Sequence, residues 1–166
     1  EASNDLMLAE AAAGHLDAAI EIYFEVTALS QTYATDPDLA GARAKAAANL
    51  IALTLEAGRT QIANQIGKDL DVLCQTFPDD DMVHLQKARG RFNRLAALAG
   101  KGSADLAMAE LTALFDSACR SSTNLSPTSP PPTSLNLIDL ASDAAFVLVT
   151  RLGTRGEHSK ALTAFN

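Results

Sequence analysis

Residues Gly14-His15-Leu16-Asp17-Ala18-Ala19-Ile20-Glu21-Ile22-Tyr23 place a glycine, a short turn and, five residues after the glycine, a small alanine at the start of an amphipathic helix. The glycine supplies the left-handed backbone that commonly ends a helix, and the alanine lets the next helix approach closely. The same grammar recurs at Gly58 and Ala63, at Gly102 and Ala107, and at Gly156 and Ala161, where Phe165 stands in the place of Tyr23. Successive glycines are separated by 44, 44 and 54 residues. The segments ahead of them match as well, Asn49-Leu50 preceding Gly58 as Asn93-Arg94 precedes Gly102. Four repeats therefore run through the chain, at about 1–35, 36–78, 79–121 and 134–166, in a single domain. Each is a helix, a tight turn and a helix. Such a hairpin cannot bury its apolar face alone, so neighbours are expected to stack.

Apolar periodicity and caps predict a short helix before Gly14, then helices over 16–33, 37–57, 60–76, 80–99, 103–121 and 135–153, and a last one from 157. Asp36-Pro37 reads as an N-cap followed by proline at the first helical position. Pro78 stops one helix, and Asp79-Asp80-Asp81 puts carboxylates at the positive end of the next. Residues 121–134 carry four prolines and no periodic apolar face, and they are predicted to form a loop between hairpins. This insert accounts for the longer final spacing.

The bulk composition agrees with a helical array. Of the 166 residues, 48% are apolar but only 5% aromatic, with no Trp, so the core must be built from Ala and Leu. That favours closely packed helices over a β-sandwich. Thirteen basic against twenty acidic residues give a formal charge of −7, which repels a phosphate backbone and argues against nucleic acid as a direct partner. No apolar run approaches the roughly 20 residues that cross a bilayer. Two cysteines, Cys74 and Cys119, are too few for a disulfide scaffold or a four-cysteine zinc site and read as reduced, mostly buried thiols of a reducing, cytoplasmic-type compartment. With no initiator Met and no leader pattern, the chain reads as a segment of a longer protein.

On the residues quoted, the chain resembles the tetratricopeptide repeat family. Gly14, Ala19 and Tyr23 match its glycine, alanine and aromatic positions, as do Gly156, Ala161 and Phe165; the middle two repeats match at glycine and alanine. The 44-residue period, with Asp36-Pro-Asp-Leu-Ala40 and Leu55-Glu-Ala-Gly58-Arg59, looks like the long-helix variety of kinesin light chains. The resemblance implies an all-α fold, a right-handed solenoid of seven to eight helices in stacked antiparallel hairpins. It also implies a scaffold that holds a peptide or partner helix in a groove lined by the first helix of each hairpin, within a larger complex.

Lys45 and Arg89 fall thirteen residues before Gly58 and Gly102, and Asn49 and Asn93 nine before. Residues four apart share a helix face, so stacked first helices would present Lys45, Asn49, Arg89 and Asn93 as a peptide-binding patch of charge and amide donors suited to a carboxylate or an extended backbone. The bland alternative is an ordinary solvated face.

Other constellations carry less. Gly100-Lys101-Gly102-Ser103 has neither the order nor the preceding strand of a phosphate loop and reads as a turn with Ser103 as N-cap. His15, His84 and His158 lack metal-ligand spacing, and the Asp79–Asp81 run lacks the pattern of a calcium loop. No nucleophile has a recognisable base beside it, so neither catalysis nor a cofactor or metal is expected. Ser126-Pro127 and Ser129-Pro130 are candidate phosphorylation sites, with chance occurrence as the alternative. The competing functional reading is a structural module packed against the rest of its own chain or an oligomer, its groove unused.

Overall fold

The computed structural model describes residues 2–33, 35–123 and 132–163, and these form eight helices with no strand among the described residues. They are α1 (Ala2–Ala12), α2 (Leu16–Thr32), α3 (Pro37–Glu56), α4 (Thr60–Thr76), α5 (Asp81–Lys101), α6 (Ala104–Thr123), α7 (Pro132–Thr154) and α8 (His158–Thr163). No helix among the described residues is long and apolar enough to cross a membrane.

The four glycines that mark the repeat all have positive φ, 86° at Gly14, 79° at Gly58, 82° at Gly102 and 75° at Gly156. Each closes the preceding helix with the same pair of hydrogen bonds. At the second turn Arg59 N–H donates to the Thr54 carbonyl at 2.8 Å and Gly58 N–H to that of Leu55 at 3.0 Å. His15 and Gly14, Ser103 and Gly102, and Glu157 and Gly156 repeat it. This two-bond closure satisfies carbonyls that a helix end otherwise leaves orphaned, and a left-handed residue makes it possible. The alanine five residues after each glycine is buried in every copy: Ala19, Ala63, Ala107 and Ala161.

The proline signals also act as expected. Asp36 Oδ1 accepts from Asp38 N–H at 3.0 Å and Leu39 N–H at 3.2 Å, with Pro37 opening α3. Within the acidic run it is Asp80 that caps α5, accepting from Met82 and Val83 N–H at 2.9 and 3.0 Å. The sequence expectation of a loop over 121–134 needs correction at both edges. Helix α6 continues to Thr123, since Ser and Thr are only mildly unfavourable in a helix before any proline intervenes. Helix α7 begins on Pro132, whose fixed φ and missing donor suit the first turn. Ser126 and Ser129 lie outside the described residues.

The chain divides into two compact units, Glu1–Gly90 and Arg91–Asn166, the division falling within α5. In the first, α1 packs on α2 and α3, α2 on α3, and α3 on α4. Met7, Tyr23, Leu50, Ile66 and Val83 are fully buried there, and α3 buries five alanines, Ala40, Ala44, Ala46, Ala47 and Ala48. These small side chains allow close approach, which is tightest at Gly90: a Cβ added there would lie 3.2 Å from Leu70 Cδ2 and 3.3 Å from Ile51 Cδ1. In the second unit α6 packs on α7 and α7 on α8, around Leu95, Leu111, Leu114, Leu148 and Leu152. Glu110, half-buried, is paired there with Arg91 at 3.1 Å and Arg94 at 3.0 Å.

Candidate functional site

The first unit contains a polar network inside the α2–α3–α4 packing. Arg43 of α3 donates through Nε to Asp69 Oδ2 on α4 at 3.1 Å and through a terminal nitrogen to Asp69 Oδ1, a two-pronged pairing. Its other terminal nitrogen donates to Ser30 Oγ on α2 at 3.0 Å, and Ser30 in turn donates to the Thr27 carbonyl at 2.8 Å. The Tyr23 hydroxyl, also on α2, donates to Asp69 Oδ2. The side chains of Arg43 and Asp69 are only 10% and 18% exposed, so the pair sits where charge is costly unless fully partnered. Burial pushes the Tyr23 hydroxyl far above its ordinary pKa, and the Asp69 carboxylate adds to the shift. With both carboxylate oxygens and three guanidinium nitrogens engaged, the network ties three helices together.

The repeat pattern marks Tyr23 only as the aromatic position of the motif and marks neither Arg43 nor Asp69. A signal was present. Arg43 lies on the same helix face as Ala40, Ala44 and Ala47, and Asp69 sits among Ile66, Leu70 and Leu73, all buried. A charge on an apolar face must find a partner. The partner's identity depends on how α3 meets α4 across 26 residues of chain, which no local pattern encodes.

Of the patch expected from the repeat register, Lys45 and Arg89 are exposed and Asn49 and Asn93 half-buried. Lys45, Asn49 and Arg89 belong to the first unit and Asn93 to the second. Gly90 abuts α3, a Cβ there falling 3.7 Å from Ala48 Cα, so Arg89 stands on the part of α5 that adjoins the turn of α3 bearing Asn49. Neither Lys45 nor Arg89 has an ion-pair partner among the described residues.

Beside the Arg43–Asp69 pair lies a cleft of about 220 Å³, walled by Tyr33, Leu39, Val72 and Phe77. A second hollow, bounded by Asp79, Asp80, Asp81 and Met82, shares Thr76 and Phe77 with it.

The remaining candidates resolve individually. His15 is exposed at its turn, its Nδ1 2.9 Å from Glu10 Oε2; His84 places Nε2 2.8 Å from the Pro78 carbonyl; His158 is exposed. Among the described residues no group of three or more His, Cys, Asp or Glu side chains is placed to hold a metal ion. Cys74 is a buried free thiol, but Cys119 is exposed, contrary to the expectation of two mostly buried ones. It falls on the outward register of α6 with Asp105, Ala109, Thr112 and Asp116. No family model matches this chain, nor does any curated protein or solved structure.

Proposed function

We propose that this chain is a non-catalytic interaction scaffold, its hairpins stacked as a right-handed solenoid of the tetratricopeptide kind, which takes an extended peptide or partner helix on its first-helix face. The observation that supports the reading is the state of Lys45 and Arg89. In a chain of net charge −7, Arg43, Arg59, Lys87, Arg91, Arg94 and Lys160 are each committed to a carboxylate; Lys45 and Arg89 are not, a state they share with exposed Lys68 and Arg151, but these two alone of the four stand at equivalent positions of successive first helices. With Asn49 between them in register, they offer charge and amide donors to a partner's carboxylates and backbone. Asn93, the equivalent of Asn49 one repeat on, belongs to the same reading.

The test is a pull-down with the chain as bait beside the Lys45→Glu/Arg89→Glu variant, followed by titration of any protein retained. A partner lost from the variant, with its circular dichroism unchanged, supports recognition on this face; equal retention by both removes these residues from the site.

A second reading, a structural module packed against other parts of its own chain or an oligomer, draws on Phe146 and Leu162, which are 70% and 67% exposed. It predicts that the same variant leaves every interaction unchanged.

A further inference from the structure

The cleft beside Arg43 and the hollow beyond it share Thr76 and Phe77 at the edge of the first unit where α2 runs into α3 and α4 into α5. Its apolar surface is unusually open: Tyr33 is 63%, Val72 55% and Met82 54% exposed. Large apolar side chains gathered this way around a concavity mark a binding surface more often than scattered ones do.

The charge around it has one sign. Asp36, Asp79, Asp80 and Asp81 line the two hollows, whereas the one basic residue that lines either, Arg43, is spent on Asp69 and Ser30. Two of those carboxylates already serve as caps, Asp36 for α3 and Asp80 for α5, so the positive helix N-termini at this edge are met from within the chain. Helices α2 and α4 both terminate here, each with no basic residue of its own in its last turn. The end of α2 has the Arg43 guanidinium on Ser30, so it is the end of α4 whose partial negative charge adds to the acidic field.

We propose that this cleft docks a cationic segment of a partner protein, an apolar anchor residue entering between Tyr33, Val72 and Phe77 while flanking Lys or Arg side chains meet Asp36, Asp79 and Asp81. The surface is distinct from the Lys45–Arg89 face and opposite in sign, so one chain would engage two partners of contrasting charge. A second copy of this acidic chain is a poor occupant on electrostatic grounds.

The probe is a fluorescent synthetic peptide with a central Leu-Phe pair flanked on each side by three lysines, compared with its counterpart in which every Lys is Glu. Both are titrated into the full chain, with amide shifts followed by NMR. The Lys peptide is expected to bind saturably and shift Tyr33, Val72, Phe77 and Met82, and the Glu peptide not to bind. Asp79→Asn/Asp81→Asn, which leaves the capping Asp36 and Asp80 in place, is expected to weaken the Lys peptide by about fivefold, the scale of two exposed charge pairs. Val72→Ser weakens it through the apolar contact, with circular dichroism showing either variant folded. Equal binding of the two peptides, no binding of the Lys peptide, or affinity unmoved by both variants overturns the proposal. So does self-association abolished by Val72→Ser, which would seat a second copy in the cleft.

Discussion

Arg43 and Lys87 hold the same position in successive repeats, each fifteen residues ahead of its turn glycine, and both are paired to α4, Arg43 to Asp69 and Lys87 to Asp71. Two carboxylates two residues apart on one helix thus serve the helix before it and the helix after it. The pairs are not of equal weight. Lys87 and Asp71 are 30% and 50% exposed, in a setting where an ion pair contributes ~0–1 kcal/mol. The Arg43–Asp69 pair is buried, where breaking it by removing one partner costs ~3–5 kcal/mol.

Asp69→Asn is therefore expected to destabilise the first unit by about 2–4 kcal/mol, because it leaves the Arg43 guanidinium buried against a neutral amide. Urea unfolding followed by circular dichroism measures it. The double change Arg43→Met/Asp69→Leu should recover most of the loss, since well-packed apolar side chains often replace a buried pair at little cost. Equal losses in the single and double variants would mean that Ser30 and Tyr23 depend on the charges themselves.

Tyr23 makes the first unit sensitive to alkali. Its folded-state pKa is raised above the ordinary value of 10.0, by burial first and by the Asp69 carboxylate second. A group raised in this way stabilises the fold fully below its unfolded pKa, and the contribution is lost as pH rises beyond it. The melting temperature should accordingly fall from about pH 10 upward. Tyr23→Phe should flatten that fall while costing about 1 kcal/mol at neutral pH for the lost hydrogen bond to Asp69. Thermal scans from pH 8 to 12 on both proteins distinguish the outcomes.

Two glycines should respond to alanine with opposite signs. At Gly58 the φ of 79° strains any L-residue even though nothing crowds the site, so Gly58→Ala is expected to destabilise by about 1–2 kcal/mol. Gly100, the penultimate residue of α5, has open space where its Cβ would stand, and Gly100→Ala should stabilise by up to about 0.5 kcal/mol, the low end of the gain within a helix. Chemical denaturation of the two variants in parallel is the check.

Capping gives a third contrast. Asp36→Ala removes an acceptor bonded to two N–H groups at the start of α3 and should cost about 1 kcal/mol. Asp79→Ala, next to the capping Asp80 but not itself the cap, should change stability by less than about 0.5 kcal/mol.

What was legible in the sequence is what local chemistry controls. The glycine turns, the buried alanines that follow them, the Asp36-Pro37 start and the helix limits to within a few residues depend on backbone conformation and on apolar period, both of which are written along the chain. The run of proline-containing residues misled at its edges because proline stops a helix only from within, and at Pro132 it starts one. Cys119 departs from the expectation for a related reason: cysteine is commonly buried, but this one falls on the outward face of α6. The Arg43–Asp69–Tyr23 network and the cleft depend on which helix faces meet which, and neither is written in any single stretch, whereas the Asp79–Asp81 run beside the cleft is.

The equal spacing of Gly14, Gly58 and Gly102 has a bearing on how such a chain can change over time. A segment cut from one of these glycines to the residue before the next begins and ends in the same backbone geometry as its neighbour, with the same two carbonyls already answered. Deleting or duplicating such a segment asks nothing of the backbone at the junction that the chain does not already adopt, so a change in whole steps of 44 residues leaves the joints themselves as they are.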